Sequence, residues 1–401
     1  MDKAQAQKII ESLRQGIPPN GHVRQFTVGR EDEIKSLESS LSSEGGGALL
    51  IKANYGSGKT HLLRYIREFA LEQGFVVSYV TLDARSAIRF NRMDQILGAI
   101  CRGIEISESP GVKGVRPFFN SIVAAIERAR TNSHPQGFWS KLTNSWQWDY
   151  SDVLDSPALF IALRAWATAE PDTQDLVEDW LQQPWQYVSK RKPLYQQLVE
   201  ELRKYFRDPR HEFKFYDVNE GIFNFRLQSY TQSWACLRDL HKLAIASGKK
   251  GLLIIFDEFE DVIHNIKNIS HKQAAFWNLF EFYSGKPFPG KSFYAVTPEF
   301  VQKCKAVLLE KSILDFDYSR FERLPTFQMS PLEVKELQLL ALKIMEIHGL
   351  AYDWKPEDHL KLSDLNAIVK TAASIQIQDR ARHTITEVVK YLDRTLDRLD
   401  D

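Results

Sequence analysis

The stretch LLIKANYGSGKTHLLRYI, residues 49–66, decides how this chain is read. An apolar segment with the character of a buried strand runs into a glycine-rich turn. A segment with helical apolar spacing at Leu62, Leu63 and Ile66 follows. That order is the sequence form of a phosphate-binding loop, G-x-x-x-x-G-K-[ST], here Ala53-Asn54-Tyr55-Gly56-Ser57-Gly58-Lys59-Thr60 with His61 beyond it. Backbone N–H groups of such a loop, aided by the helix N-terminus, wrap a β-phosphate. Lys59 is expected to neutralise β- and γ-phosphate oxygens, and the Thr60 hydroxyl to be a ligand of Mg²⁺. Gly56 and Gly58 stand where close backbone approach leaves no room for a side chain. The motif's first glycine is replaced by Ala53, which adds a methyl group at the strand end and removes no phosphate ligand.

Upstream, residues 4–15 read as a helix stopped by Gly16 and the Pro18-Pro19 pair, and a second helix begins at about Glu31. GGGALLIKA is a glycine lead into the first strand; FVVSYVTLD, KKGLLIIFDEFED and KSFYAVTPEF read as three more, and RLPTFQMSPLE holds a short fifth. Continuous apolar runs of this kind suit parallel strands covered on both faces. The expected architecture is α/β: a parallel sheet of about five strands with helices on both faces, a large helical insertion and a C-terminal helical lid. Its expected boundaries are residues 1–85 and 235–330 for the core, 86–234 for the insertion and 331–401 for the lid. The insertion contains Trp139, Trp146, Trp148, Trp166, Trp180 and Trp185, read as its own core rather than as a stacking platform.

LLIIFDEFE, residues 252–260, is an apolar strand ending in Asp257-Glu258. Acidic residues at the carboxyl end of a parallel strand face the crevice where ligands bind in open α/β sheets. Asp257 is expected to hold magnesium and Glu258 to polarise an attacking water. Small-molecule kinases need no such glutamate, and the N/TKxD element of guanine-reading domains is missing. The pair therefore favours an ATPase of the additional-strand class.

Length and composition bound the rest. At 401 residues, two or three cores are expected. Lys plus Arg and Asp plus Glu are 52 each, so any nucleic-acid surface must be local. The three cysteines, Cys101, Cys236 and Cys304, have the spacing of neither a disulfide framework nor a zinc site, and no long apolar run or signal-type leader is present. A soluble cytoplasmic protein is expected. SKRKPLYQQLVEELRKYFRDPR groups Lys190, Arg191, Lys192, Arg203, Lys204, Arg207 and Arg210 with aromatic rings, which suits phosphate neutralisation and base stacking. Glu200, Glu201 and Asp208 interrupt it, and the Glu200–Lys204 spacing reads equally as a solvated helix face. His241, His264 and His271 have no ligand spacing with Cys or Asp partners.

FTVGREDEIKSLESSL, residues 26–41, resembles the adenine-side box that opens AAA+ ATPases of the origin-recognition and STAND-like branch. The resemblance implies that Val28, Gly29 and Arg30 wrap the base. IIESLRQGIPPNGHVRQFTVGRE and NYGSGKTHLLRYIREFALEQGFVVSYVTLD are similar to the ATP-binding proteins of bacteriophage exclusion (BREX) defence systems, and FDEFED and FYAVTPEF fit the same family. The likeness covers about residues 5–100 and 250–395. It implies a polar sensor at Thr297, and a finger arginine offered to a neighbouring subunit by Arg320 or Arg323 in DYSRFERLPTF. Arg323, like the family's arginine, precedes a leucine. In QDRARHTITEVVKYLD the second sensor arginine is Arg382, with Arg380 its competitor; Thr386 departs from the pattern, which often has a second arginine there. ATP and Mg²⁺ are the implied ligands. Implied partners are further copies of the chain or other defence proteins of helicase or methyltransferase type, with DNA contact open and no membrane. The alternative is a nucleotide-gated switch or scaffold with little turnover.

Overall fold

The computed structural model describes residues 1–19, 21–43, 45–83, 88–131, 153–168, 170–189, 192–206 and 220–400. Six strands form one sheet among them: β1 (Gly47–Lys52), β2 (Val76–Thr81), β3 (Ile104–Glu105), β4 (Leu252–Asp257), β5 (Lys291–Val296) and β6 (Thr326–Gln328). Their order is β3-β2-β4-β5-β1-β6. All pairs are parallel except β2–β3. β5 therefore lies between the strand that leads into the glycine loop and the strand that ends in Asp257. The sixth strand, β3, was not anticipated. Two residues are too few to show a period, and the strand pairs antiparallel with Val77 and Ser78 directly where α5 ends.

The helices, in chain order, are α1 (Lys3–Arg14), α2 (Val23–Phe26), α3 (Glu31–Ser42), α4 (Lys59–Glu72), α5 (Met93–Gly103), α6 (Val115–Thr131), α7 (Pro157–Thr168), α8 (Pro171–Gln182), α9 (Pro184–Ser189), α10 (Lys192–Phe206), α11 (Leu227–Ala246), α12 (Asp261–Asn265), α13 (Ile269–Ser284), α14 (Phe300–Leu309), α15 (Ser319–Glu322), α16 (Val334–Tyr352), α17 (Pro356–His359), α18 (Leu362–Ser374) and α19 (Arg380–Asp400).

Alternation along each strand sends its side chains to opposite faces. Ile51, Val77, Leu253, Ile255, Phe293 and Ala295 pack under α3 and α4. Leu50, Val76, Val80, Ile254, Phe256 and Tyr294 face the other way, into the larger core with α5 to α8, α11, α13 and α14. β4 is buried at all six positions, which is why its sequence carries no alternation. Trp166 and Trp180 lie fully buried in that larger core. Trp166 Nε1 donates to Asn120 (3.0 Å), and Trp180 Nε1 donates to the Phe223 carbonyl (3.1 Å) with its ring stacked on Phe225. Trp139, Trp146 and Trp148, and Lys190, Arg191, Arg207 and Arg210 of the basic segment, lie outside the described residues. All three cysteines are buried and free, and no described helix is long and apolar enough to cross a membrane.

A third cluster joins α1 and Phe26 to the C-terminal helices α16, α18 and α19. Asp2 and Gln5 cap α1 reciprocally, and Ala6, Ile9, Ile10 and Leu13 make its buried stripe. The tie is polar as well as apolar. Arg14 donates twice to Asp393 (2.9 Å each), and the buried His348 pairs its Nε2 with the same carboxylate at 3.0 Å. Trp354 Nε1 donates to His348 Nδ1 (2.9 Å), so Nε2 carries the imidazole proton toward Asp393. Burial pushes Asp393 up, but the bonds from His348 and Arg14 win and hold it at about 2. A carboxylate depressed in the folded state contributes stability that is full above its unfolded value of about 3.9 and lost as pH falls through the folded value. Thermal unfolding of wild type and Asp393→Asn from pH 6 to pH 2 is expected to show a gap of about 2 kcal/mol at pH 6 that closes by pH 2. A gap independent of pH would remove the ion pair from this account.

Candidate nucleotide site

The glycine loop, the carboxyl end of β4, the α1–α2 connection and the C-terminal helices enclose one cleft of about 370 Å³, within the size range of small-ligand sites. Asn54 through His61, Asp257, Glu258, Val28, Arg30 and Arg382 line it. One end is apolar, made by Ile17, Phe26, Val28, Leu332, Leu340 and Ile385; the other holds the lysine and the carboxylates. Gly29, Thr297, Arg320 and Arg323 are not among its lining residues.

Ala53 is fully buried beneath α4, so its methyl group joins the core and leaves the loop clear. Its carbonyl accepts a hydrogen bond from Lys59 Nζ at 2.8 Å. Lys59 is buried, with Nζ 4.8 Å from the Tyr55 ring centre and 3.7 Å from Glu260 Oε1. Burial pulls the lysine down from its usual range, opposed by the charges of Glu260 and Asp257. Gly58 (φ 92°) turns the chain into α4 in a left-handed conformation that a side chain disfavours. At Gly56 (φ 72°) the backbone conformation and a neighbouring segment both exclude a side chain. A Cβ there would lie 1.6 Å from the Gln378 carbonyl oxygen, so the missing side chain makes room for the turn before α19.

Asp257, at the buried end of β4, accepts from Tyr79 Oη (2.7 Å) and from the Glu258 amide (3.0 Å). Each carboxylate oxygen keeps acceptor capacity. Glu258 sits in left-handed backbone (φ 56°) and is exposed toward the cleft; non-glycine strain of this kind clusters at functional sites. Burial pushes its carboxyl up, and the neighbouring charges of Asp257, Asp261, Asp83 and Glu260 push in the same direction. Thr297 follows β5, buried, with Oγ1 making no hydrogen bond. Thr60 Oγ1 and Asp257 are hard oxygen donors of the type Mg²⁺ takes. No group of three or more His, Cys, Asp or Glu able to hold a metal occurs among the described residues. An ion here would therefore complete its shell with phosphate and water oxygens.

The segment expected to be an adenine-side box has a structural duty. Arg30, buried, donates to the Ser57 carbonyl and to Glu33 (2.9 Å each) and to the Ser330 carbonyl, bridging the glycine loop to the start of the C-terminal helices. Gly29 packs beneath Glu336, while Val28 lines the cleft. His61 shares a hydrogen bond with Thr27 Oγ1 (2.9 Å), and burial, then Arg30 and Arg64, pull it down to about 4. Arg382 reaches the cleft beside Gly16, whereas Arg380 donates to the Ile375 carbonyl at 3.2 Å. Arg320 lies 4.3 Å over the Trp277 ring and donates to Asp317 (3.1 Å). Arg323 is 62% exposed and donates to Ser319 Oγ (2.6 Å), with Asp317 more distant at 3.9 Å. Glu260, Tyr79 and Gln378 were not singled out in the sequence. An acidic run, a strand tyrosine and a turn carbonyl carry no signal of their own.

Residues 1–149 match a protein-family model described as BREX system ATP-binding protein BrxC/D. That segment includes the glycine loop and ends before β4. No curated protein matches the chain.

Proposed function

We propose that this chain is an AAA+-like ATPase of a BREX-type anti-phage system, hydrolysing ATP to drive rearrangement of DNA or of a partner complex. The observation that carries this reading is the buried Lys59 of a glycine loop facing the Asp257–Glu258 strand end across one cleft, with β5 interposed between the two strands. The match of residues 1–149 to an ATP-binding family supports it. In this reading residues 1–85 and 235–330 are the ATPase core, 86–234 the insertion and 331–401 the lid.

The apolar end of the cleft takes the base, between Val28 and the lid residues Leu340 and Ile385. The loop amides of residues 54–60 and the Lys59 ammonium take the phosphates. Thr60 and Asp257 would hold Mg²⁺, which supplies charge neutralisation at the phosphate oxygens when bound. Glu258 accepts a proton from the attacking water and Arg382 closes the site from the lid, while Thr297, buried behind the cleft lining with its hydroxyl unpaired, would act as a polar sensor only once nucleotide binding rearranges the end of β5. Arg323, more exposed than the stacked Arg320, is the better placed to reach a neighbouring copy's γ-phosphate. Further copies, or helicase- and methyltransferase-type defence proteins, are the partners of this reading.

A nucleotide-gated switch with little turnover is the second reading. The Gln378 carbonyl on Gly56 favours it, since it sets the lid against the phosphate loop, and the Arg30 bridge ties that loop to Ser330 at the lid's border. Steady-state phosphate release with and without DNA, alongside native mass with and without ATP, separates the two. Turnover that falls at least tenfold in Arg323→Ala, and assembly on ATP, are expected of the ATPase (an effect of about 10³ or more when a finger arginine acts fully). ATP-dependent assembly without phosphate release would replace the first reading by the second.

A further inference from the structure

Glu260 lies three residues past Asp257 and turns inward. Its side chain is 6% exposed and lines the same cleft as Lys59. Oε1 stands 3.7 Å from Lys59 Nζ, and Oε2 makes no hydrogen bond. That separation is longer than the ~2.7–2.9 Å of a direct charge-assisted bond. The two groups therefore compensate each other's charge while neither is locked to the other. A carboxylate in this place attracts no phosphate. It does attract the ammonium that the phosphates require. Tyr55 sits over the same ammonium, and the charge of Glu260 bears on its phenol as well.

We propose that Glu260 is a positioning residue that holds the Lys59 ammonium as a resident counter-ion, from which the phosphates of ATP must take it. The inference rests on the ATP-binding reading above. With phosphate bound, Lys59 turns toward the β- and γ-oxygens and Glu260 is left facing an anion. The attraction it loses and the repulsion it gains both subtract from nucleotide affinity. On release, Glu260 draws the ammonium back and assists departure. Glu260 thus makes the site turn over nucleotide rather than trap it.

The test uses the full chain as wild type, Glu260→Gln, Glu260→Asp and Lys59→Ala, with Mg-ATP and Mg-ADP as probes. Equilibrium affinity, dissociation rate and thermal unfolding are measured with and without nucleotide. Glu260→Gln is expected to bind ATP about tenfold more tightly, as removal of a close charge changes affinity, and to release it more slowly. Its melting temperature falls without nucleotide, because Lys59 loses its counter-ion, and recovers at saturating ATP through the larger linked stabilisation. Glu260→Asp returns affinity toward wild type. Unchanged or weaker binding by Glu260→Gln overturns the inference, as does a melting deficit that persists equally with ATP. A wild-type chain that binds no ATP overturns the underlying reading instead, which wild-type affinity alone reveals.

Discussion

Glu258→Gln is expected to bind ATP as wild type does and to release phosphate on the order of 10²–10⁴ times more slowly, the contribution of a positioned general base. The amide keeps the shape and can still hydrogen-bond to water, but it takes no proton. Two features of Glu258 support that proposed role. Its left-handed backbone, φ 56°, turns the side chain out of the strand line into the cleft. Burial, and then the surrounding charges of Asp257, Asp261, Asp83 and Glu260, push its carboxyl up from the ordinary glutamate value in the metal-free site. Single-turnover phosphate release and nucleotide affinity, measured on the same preparations, check both halves. Turnover within a few-fold of wild type would remove Glu258 from the chemistry.

Lys59→Ala carries the second large effect, a loss of ATP affinity of roughly 100-fold. A hydrogen bond to a charged group contributes about 1.5–3 kcal/mol, and in the proposed reading Lys59 serves both β- and γ-oxygens. The same substitution has a second consequence that a surface lysine would not have. Glu260, 6% exposed, loses the cation 3.7 Å away. Breaking a buried pair from one side costs about 3–5 kcal/mol when the remaining charge stays buried, less where the group protonates or reaches water. Lys59→Ala is therefore expected to melt below wild type even without nucleotide, and Lys59→Ala/Glu260→Gln to recover part of that loss. A double-mutant cycle on melting and on ATP affinity gives the coupling. Additive melting shifts would show that the two residues do not sense each other.

What the chain alone settled was local. Strand, glycine turn and helix lie within residues 47–72, and their apolar spacing, the left-handed Gly58 and the lysine that follows are properties of one short window. The same holds for β4, whose unbroken apolar run and terminal Asp257-Glu258 announce a strand buried on both faces with its carboxylates at a crevice. Among the described strands, β1, β2, β4 and β5 were legible as apolar runs and the short β6 as a segment before helical spacing resumes, while residues 334–400 were legible as helical because their apolar period repeats over several turns.

Everything that depends on residues far apart in the chain was decided by packing. Which strands neighbour one another places β5 between β1 and β4. α1, at the start of the chain, buries its stripe against helices more than 300 residues later, where Arg14 meets Asp393. Arg30 became a strut because the Ser57 and Ser330 carbonyls converge on its guanidinium. Gly56 makes room for Gln378 because the turn before α19 lands on it. Glu260 differs from its exposed neighbour Glu258 only in which way the chain turns after β4. A short window encodes period, turn and charge; the dielectric around a carboxylate and the partner of an arginine arise only when distant segments close over them.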